Sequence, residues 1–222
     1  MSNENPEVIT LEMMRSDLYS AVVADALDGL GYTHQSPRVQ LRPYTTTSLL
    51  VGRCKTTLWE EMDEVDPNPY ELELKAVDDC QADDVLIAAS GGSLKSGIWG
   101  ELLSTAAKNS GCVGAIGDGA VRDVQKMRAM QFSVFARGTS VYDSQDRQRV
   151  IAIDTDVEID GVTFSAGDLV FADEDGVVVV PQEVEAAAIA AAWSKVHAEN
   201  VTRDAIRDGM KATDAYKKYG VL

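Results

Sequence analysis

The pattern of apolar and polar residues changes several times in the middle of the chain, and each change predicts a different element. Good helix formers fill residues 100–108, and a short apolar run at 111–116 indicates a buried strand. A turn loosened by glycines is predicted at 117–123, and a second helix at 124–130. Helix, strand, turn and helix in this order are typical of an α/β unit.

Segments with helical or alternating spacing on both sides of this unit predict further elements. Helices are predicted at 11–30 (with a break at Gly29), at 70–77, at 182–209 and in a short last segment ending near Tyr219. Strands are predicted at 46–59 (interrupted at Gly52), 85–89, 150–157, 162–164, 169–171 and 177–181, with a hairpin turn at Asp160-Gly161. We therefore predict an α/β fold with a β-rich sandwich core flanked by helices.

The length of the chain, 222 residues, is enough for one substantial hydrophobic core. We predict a single domain spanning 1–222. Within it, the polar and acidic residues 1–9 are expected to form a loose leader, and 182–222 a C-terminal helical extension.

Composition narrows the classes of partner. The net charge is −16, whereas a protein that binds nucleic acid needs a basic face, so we expect no nucleic-acid partner. No apolar run approaches the ~18 residues of a membrane span, and no membrane partner is expected. Cys54, Cys80 and Cys112 are odd in number and widely spaced, which favours buried free thiols and a cytoplasmic location.

The candidate chemistry is concentrated at Arg122 and Asp123, which lie between an apolar strand and a helix start. Glu101 precedes this pair, with twenty residues between it and Arg122. Two carboxylates and a guanidinium suit a hard divalent cation held by oxygens beside an anionic substrate held by arginine. The alternative interpretation is that the pair is a helix cap and a surface ion pair.

A second feature is the glycine-rich segment 90–97, which is predicted to lead as a loop into the helix at Gly100. Small residues before a helix N-terminus can form an anion site, although a plain solvated loop would have the same composition. Lys95 in this loop is only a weak Schiff-base candidate, since loop lysines are common. The acidic run 173–175 favours a hairpin turn over a cation site, and His197 is expected on the surface.

The same residues carry a resemblance to a known family. They are Gly100-Glu101-Leu102-Leu103, Gly111-Cys112-Val113-Gly114, Asp118-Gly119-Ala120-Val121-Arg122-Asp123 and Val134-Phe135-Ala136-Arg137-Gly138. With them the chain resembles, from about Leu18 to its C-terminus, the family of 4-hydroxy-4-methyl-2-oxoglutarate/4-carboxy-4-hydroxy-2-oxoadipate aldolases and the regulator of ribonuclease activity A. The resemblance implies an RraA-like fold of the swivelling β/β/α type, assembled as a homotrimer or homohexamer.

The resemblance also implies a class II pyruvate aldolase that acts on 4-hydroxy-2-oxo acids and decarboxylates oxaloacetate through a metal-stabilised enolate. Asp123 would bind Mg²⁺ or Mn²⁺ directly, and Glu101 would do so through water. Glu199 of a neighbouring subunit is the candidate that would complete the metal site, again through water. Arg122 would hold the 2-oxo acid substrate, together with Gly100 and the backbone N–H groups of Leu102 and Leu103.

Two further classes of function stay open. Some relatives are non-enzymatic regulators that bind an RNA-degrading enzyme, and the presence of Asp123 argues against that branch, which lacks the metal-binding aspartate. A different lyase or a hydratase would use the same site. One departure from the family pattern is Lys126, which stands where the resemblance leads one to expect an acidic residue.

Overall fold

The computed structural model describes residues 8–45 and 49–221. The helices are α1 (Leu11–Asp17), α2 (Ser20–Gly29), α3 (Glu71–Asp78), α4 (Glu101–Asn109), α5 (Val124–Ala129), α6 (Glu185–Arg207) and α7 (Ala212–Tyr219). The strands are β1 (Arg42–Pro43), β2 (Leu50–Glu61), β3 (Asp84–Ala89), β4 (Gly97–Trp99), β5 (Gly114–Val121), β6 (Ser133–Thr139), β7 (Gln148–Ile153), β8 (Val157–Ile159), β9 (Val162–Phe164), β10 (Leu169–Ala172) and β11 (Val177–Val180).

Nine of these strands form one mixed sheet with the order β1-β6-β5-β3-β2-β10-β11; β4 pairs with β5 and β7 with β2, off this path. The central strands β2, β3, β5 and β6 run parallel to one another, and β10 and β11 continue the sheet with antiparallel pairing. β8 and β9 form a separate hairpin, whose turn at Asp160 and Gly161 has positive φ at both residues, as predicted.

Alternating residues of the sheet pack into two layers. On β3, Leu86 and Ala88 contact a core shared with the buried faces of α3, α4 and α5. Val85 and Ile87 point to the opposite face, where they pack with the side chains of the β8–β9 hairpin. Helices α1, α2 and α6 cover the β2–β10–β11 end of the sheet. This arrangement confirms the predicted α/β fold with a β-rich core flanked by helices.

The predictions for two strands were wrong, because glycines in the sequence were interpreted as a turn or a break. The turn expected at 117–123 is a buried strand as far as Val121, and only Arg122 and Asp123 turn. β2 likewise runs without a break through Gly52. A Cβ at Gly52 would collide with the backbone of Asp83, and one at Gly119 would lie 2.5 Å from the hydroxyl of Ser90. The glycines therefore allow close packing here instead of loosening the backbone.

Other boundaries differ for local reasons. The strand predicted at 150–157 is divided into β7 and β8, because Asp154 adopts a left-handed conformation between them. The glycine-rich loop does not run directly into α4, since β4 intervenes. Residues 11–30 form two helices that separate at Leu18 and Tyr19, well before Gly29. Most of the predicted leader, and residues 46–48 of a predicted strand, lie outside the described residues.

The fold confirms the sequence prediction for the cysteines. Cys54, Cys80 and Cys112 are buried free thiols. In the part of the chain that the structure describes, no helix has both the length and the apolar character needed to cross a membrane.

Candidate functional site

Three of the functional residues predicted from the sequence, Glu101, Arg122 and Asp123, lie close together at the C-terminal end of β5. β4 pairs with β5 in parallel, with Trp99 beside Val121, so the start of α4 lies next to the turn at Arg122 and Asp123. The backbone N–H of Glu101 donates a hydrogen bond to Oδ2 of Asp123 at 3.3 Å. Ligands commonly bind where the carboxyl ends of parallel strands meet helix N-termini. The structure therefore brings Glu101, Arg122 and Asp123 to one place.

The side chain of Asp123 caps the N-terminus of α4, because the residue at the N-cap position has no side chain that could do so. Gly100, at the N-cap position, has no side chain to accept a hydrogen bond, and the carboxylate of Asp123 takes that role from across the turn. Asp123 itself has φ of 57°, a left-handed conformation that aspartate and asparagine tolerate better than most residues. The side chain of Asp123 is still 38% exposed, so oxygen lone pairs remain available to a ligand.

Gly100 is required by this close approach. A Cβ at Gly100 would lie 2.9 Å from Oδ2 of Asp123 and 3.2 Å from Cγ of Arg122. Gly100→Ala is therefore expected to displace both side chains and to lower kcat/KM of a reaction catalysed at this site by about 10- to 100-fold, because small misplacements of reacting groups are costly. Gly29→Ala is the control, because nothing lies within 4 Å of a Cβ there. Equal activity of the two variants would contradict the packing argument.

Arg122 is held by a residue that sequence reasoning missed. Its Nη1 lies 2.6 Å from Oδ2 of Asp143, while its Nε is 3.9 Å from Oδ2 of Asp123. Asp143 also accepts hydrogen bonds from the hydroxyl of Tyr70 at 2.8 Å and from the N–H of Gln145 at 2.9 Å. Burial acts to raise the pKa of Asp143, but these hydrogen bonds and Arg122 outweigh it and lower the pKa. Asp143 is thus an ionised anchor for the guanidinium.

Glu73 is a second missed acid, and it is buried in the wall of the same site. Its side chain belongs to α3 and is only 7% exposed. Loss of solvation, followed by repulsion from Asp143, raises its pKa to about 8, although Arg122 acts in the opposite direction. Near neutral pH, Glu73 therefore carries a proton while Asp143 does not.

The raised pKa of Glu73 predicts how stability depends on pH. The unfolded chain releases this proton near the ordinary pKa of 4.5, whereas the folded chain keeps it up to about pH 8. Stability therefore falls as pH rises through this window. Glu73→Gln should remove this loss, so that above pH 8 the variant exceeds wild type by on the order of 3 kcal/mol. The measurement is the free energy of unfolding of Glu73→Gln and wild type from urea titrations at several pH values, with the exposed Glu71→Gln as control. A difference between Glu73→Gln and wild type that does not change with pH would contradict the raised pKa of Glu73.

A cavity of about 290 Å³ connects these groups. Its polar lining is Tyr70, Glu73, Arg122, Asp123, Asp143 and Ser144, and its remaining lining is Leu74, Gly97, Ile98, Gly100, Leu102 and Leu103. The N–H groups of Leu102 and Leu103 lie in the first turn of α4, where a helix offers no carbonyl partner. With the helix dipole they favour an anion at this end of the cavity.

A larger cavity, of about 610 Å³, lies elsewhere and is lined by residues that include His34, Arg38 and Asp160. It contains neither the Arg-Asp pair nor a helix N-terminus beside a buried acid. The smaller cavity combines a guanidinium, two acids of opposite protonation state and free backbone donors, which is the set of groups that catalytic sites use. We therefore take the smaller cavity as the candidate site.

Several residues considered from the sequence lie in structural roles. Asp118 is buried within β5 and pairs with Arg137 at 3.3 Å, so it does not belong to an open turn. The ammonium of Lys95 pairs with Asp63 at 2.8 Å, and this hydrogen bond raises its pKa, which makes it a poor Schiff-base nucleophile. Asp173 accepts hydrogen bonds from the N–H and hydroxyl of Ser20 in the turn before β11, as expected of a turn residue.

Glu199 and His197 lie on α6. The carboxylate of Glu199 accepts a hydrogen bond from the hydroxyl of Tyr19 at 2.6 Å, and Arg203 and Lys195 are nearby at 3.8 and 4.0 Å. These contacts are within one chain, and a contribution of Glu199 to a neighbouring subunit stays a prediction. Nδ1 of His197 contacts the carbonyl of Trp193 at 2.7 Å, and the ring is on the surface, as expected.

Known proteins that are similar to this chain indicate its family. Residues 20–179 match the model of the RraA-like family, described as aldolase/RraA. The chain belongs to the RraA-like family. A Halalkalibacterium halodurans relative with the provisional name 4-hydroxy-4-methyl-2-oxoglutarate aldolase is 29% identical over 194 residues, which cover 87% of each chain.

Solved structures of the RraA-like fold superpose on most of the chain. An uncharacterised protein of Pseudomonas syringae is 25% identical, covers 90% of this chain and 93% of its own, and gives a TM-score of 0.78. Streptomyces coelicolor RraAS2, described as an unusual member of the RNase ES inhibitor RraA protein family, is 27% identical, with 87% and 96% covered and a TM-score of 0.76. An aldolase name and an inhibitor name therefore both occur among proteins similar to this chain.

The donor set of this RraA-like site fits a water-rich divalent cation. Within residues 8–45 and 49–221, no three His, Cys, Asp or Glu side chains form a dedicated metal cage. Mg²⁺ does not require one, since it is often bound by one or two carboxylates and keeps several waters. Asp123 offers a carboxylate that is 38% exposed, and the backbone N–H of Glu101 contacts it. The carboxylate of Glu101 accepts a hydrogen bond from the hydroxyl of Thr105 at 3.1 Å and does not line the cavity, so a contact of Glu101 with the cation stays a prediction. Lys126, three residues beyond Asp123, is exposed on α5.

The missed residues had different signals in the sequence. Glu73, Ala76 and Val77 are the buried positions of α3 and have helical i, i+3, i+4 spacing, so the sequence does place a glutamate on an apolar helix face. Asp143 is in an irregular polar segment after β6, where only the tertiary fold shows that it meets Arg122. Tyr70 has φ of 68°, and no sequence pattern indicated this conformation.

Proposed function

We propose that this RraA-like chain is a divalent-metal-dependent class II pyruvate aldolase that cleaves 4-hydroxy-2-oxo acids of the 4-hydroxy-4-methyl-2-oxoglutarate type and also decarboxylates oxaloacetate. The observation that carries the proposal is the convergence of Arg122, Asp123 and the N-terminus of α4 on one cavity. The provisional name of the H. halodurans relative supports it.

The 2-oxo acid end of the substrate would bind between Arg122 and the start of α4. The backbone N–H groups of Leu102 and Leu103 would hold the carboxylate, because the helix start offers free donors to an anion. Arg122 would contact the keto and carboxylate oxygens, with its guanidinium oriented by Asp143. Gly100 leaves the space in which Asp123 and Arg122 approach this end of the cavity.

The residues that would hold Mg²⁺ or Mn²⁺ are Asp123 directly and Glu101 through water, with Glu199 of a neighbouring subunit as a further candidate. When bound, the cation supplies Lewis-acid stabilisation of negative charge on the 2-oxo oxygen. As the C3–C4 bond breaks, the 4-hydroxyl would lose its proton to water and become a carbonyl, and C3 of the enolate would take up a proton to give pyruvate. The guanidinium of Arg122 would add positive charge at the enolate oxygen during this step. Ile98 and Leu103 contribute apolar surface to the lining of the cavity.

The test is release of pyruvate from oxaloacetate and from 4-hydroxy-4-methyl-2-oxoglutarate, with Mg²⁺ and with EDTA. Metal-dependent release from both is expected. Release from oxaloacetate alone would favour a decarboxylase, or another lyase or hydratase that uses the same site. No release from either, by folded protein, would contradict the proposal.

The second candidate function is a non-enzymatic inhibitor of an RNA-degrading enzyme. The likeness to S. coelicolor RraAS2 favours it, and the net charge of −16 would suit a basic partner surface. This function predicts inhibition of a ribonuclease of the RNase E type that is retained when Asp123 is replaced. Aldol cleavage lost in the same variant would support the enzyme instead.

A further inference from the structure

Acidic side chains outnumber cationic ones around the candidate cavity. Arg122 is the single cationic side chain among the described residues around it, and Asp143 already pairs with it at 2.6 Å. The acids Glu73, Asp123 and Asp143 line the same space. If Arg122 holds the 2-oxo acid end of a substrate, no cation of this part of the chain is left for a second carboxylate.

The wall away from Asp123 is formed by Glu73 and leucines. Leu74 is 50% exposed and Leu102 75% exposed, and both present apolar surface to the cavity. Glu73 is 7% exposed, and its side chain lines the cavity beside these leucines. Glu73 is therefore placed to contact a substrate that fills the cavity.

We propose that Glu73 and the adjoining leucine wall make this site selective for 4-hydroxy-2-oxo acids whose distal half is uncharged. The inference rests on the proposed function and narrows it, since 4-hydroxy-4-methyl-2-oxoglutarate carries a second carboxylate. A protonated Glu73 donates a hydrogen bond to a hydroxyl of the substrate, and an ionised Glu73 repels a distal carboxylate. The pKa of about 8, set by burial, by Asp143 and by Arg122, makes this repulsion grow between pH 7 and 9.

The test compares two substrates that differ in one group. 4-Hydroxy-4-methyl-2-oxopentanoate has a methyl group where 4-hydroxy-4-methyl-2-oxoglutarate has its second carboxylate. With Mg²⁺, wild-type kcat/KM should favour the former by at least about 10-fold at pH 7, because Arg122 would already bind the 2-oxo acid end and the carboxylates of Asp123 and Asp143 repel a second carboxylate. The preference should increase at pH 9 in wild type and stay constant in Glu73→Gln.

A gain-of-function variant keeps the inference testable if Glu73→Gln misfolds. Leu74→Arg adds a cation at the half-exposed rim and should reduce the preference for the uncharged substrate by about 10-fold. Val65→Arg adds the same charge at a position that is 80% exposed and outside the cavity, and it should leave the preference unchanged. Equal or better cleavage of the dicarboxylate by wild type would overturn the inference.

The affinities of two 2-oxo acids that cannot be cleaved test the selectivity independently of the proposed function. 2-Oxopentanoate and 2-oxoglutarate lack the 4-hydroxyl and cannot be cleaved, and calorimetry with Mg²⁺ present gives their Kd values. Tighter binding of 2-oxopentanoate supports the selectivity even if neither aldol substrate is turned over, which would contradict only the proposed function. Equal or tighter binding of 2-oxoglutarate overturns the selectivity, while aldol cleavage would still support the function.

Discussion

Asp123→Asn is expected to reduce metal-dependent pyruvate release to below about 1% of wild type. The amide keeps two properties of the aspartate: its oxygen can accept the hydrogen bond from the N–H of Glu101, and asparagine tolerates the left-handed φ of 57°. It loses the negative charge that a hard divalent cation requires. The loss of activity would thus report on charge and not on the cap of α4.

The measurement is kcat/KM with oxaloacetate and Mg²⁺, together with the Mg²⁺ affinity from calorimetry. Asp156→Asn is a suitable control, since Asp156 is an exposed acid in the bend between β7 and β8. We expect unchanged melting temperatures for both variants and lost Mg²⁺ binding only for Asp123→Asn. Wild-type turnover by Asp123→Asn at saturating Mg²⁺ would mean that Asp123 serves only as a helix cap.

The sequence pattern predicted several strands of the sheet because they are continuous apolar runs whose residues are all buried. Val177–Val180 and Leu169–Ala172 are short apolar runs bounded by turn residues, and both became adjacent strands. The pattern failed where glycine was interpreted as flexibility. In β5 the glycines let neighbouring strands and Ile98 approach, which is a property of tertiary packing that no local window contains.

Some residues of the site were predicted from the sequence and others were missed, again because tertiary packing decides which residues meet. Glu101, Arg122 and Asp123 are near one another because β4 and β5 are parallel neighbours, and the resemblance carried that information. Asp143 reaches Arg122 from a segment without regular structure, where local patterns are uninformative. Glu73 is different, because its position on the apolar face of α3 was visible in the sequence. A glutamate at a buried helical position is itself a signal of perturbed titration.

The missed residues change how the chemistry is understood. Arg122 is not a free guanidinium, since Asp143 fixes one end of it and Tyr70 fixes Asp143. A fixed guanidinium loses little freedom when a substrate binds, which favours a well-defined geometry for the 2-oxo acid. The same pairing reduces the positive charge available to a dianionic substrate. Preorganisation of Arg122 and discrimination against a second carboxylate therefore have one structural origin.

Arg122→Lys is expected to lower kcat/KM for pyruvate release by at least about 10²-fold. The planar guanidinium contacts Asp143 through Nη1 and leaves other N–H donors for the substrate oxygens. A lysine ammonium is a compact point charge, and if it pairs with Asp143 it cannot also form a two-pronged contact with a 2-oxo acid. Both kcat and substrate affinity should fall, because the same oxygens carry charge in the ground state and during bond cleavage.

The matched control is Arg149→Lys, which makes the same change where Arg149 pairs with Glu60 at 2.8 Å on the surface. Turnover of this control should equal wild type, since exposed ion pairs contribute little. Asp143→Asn should weaken the orientation of Arg122 and cause a smaller loss than Arg122→Lys, seen mainly in kcat. The contrary result would be a fall in kcat/KM of less than about 5-fold for Arg122→Lys together with a larger fall for Asp143→Asn. Arg122 would then act through the packing of the turn after β5 and not through substrate contact.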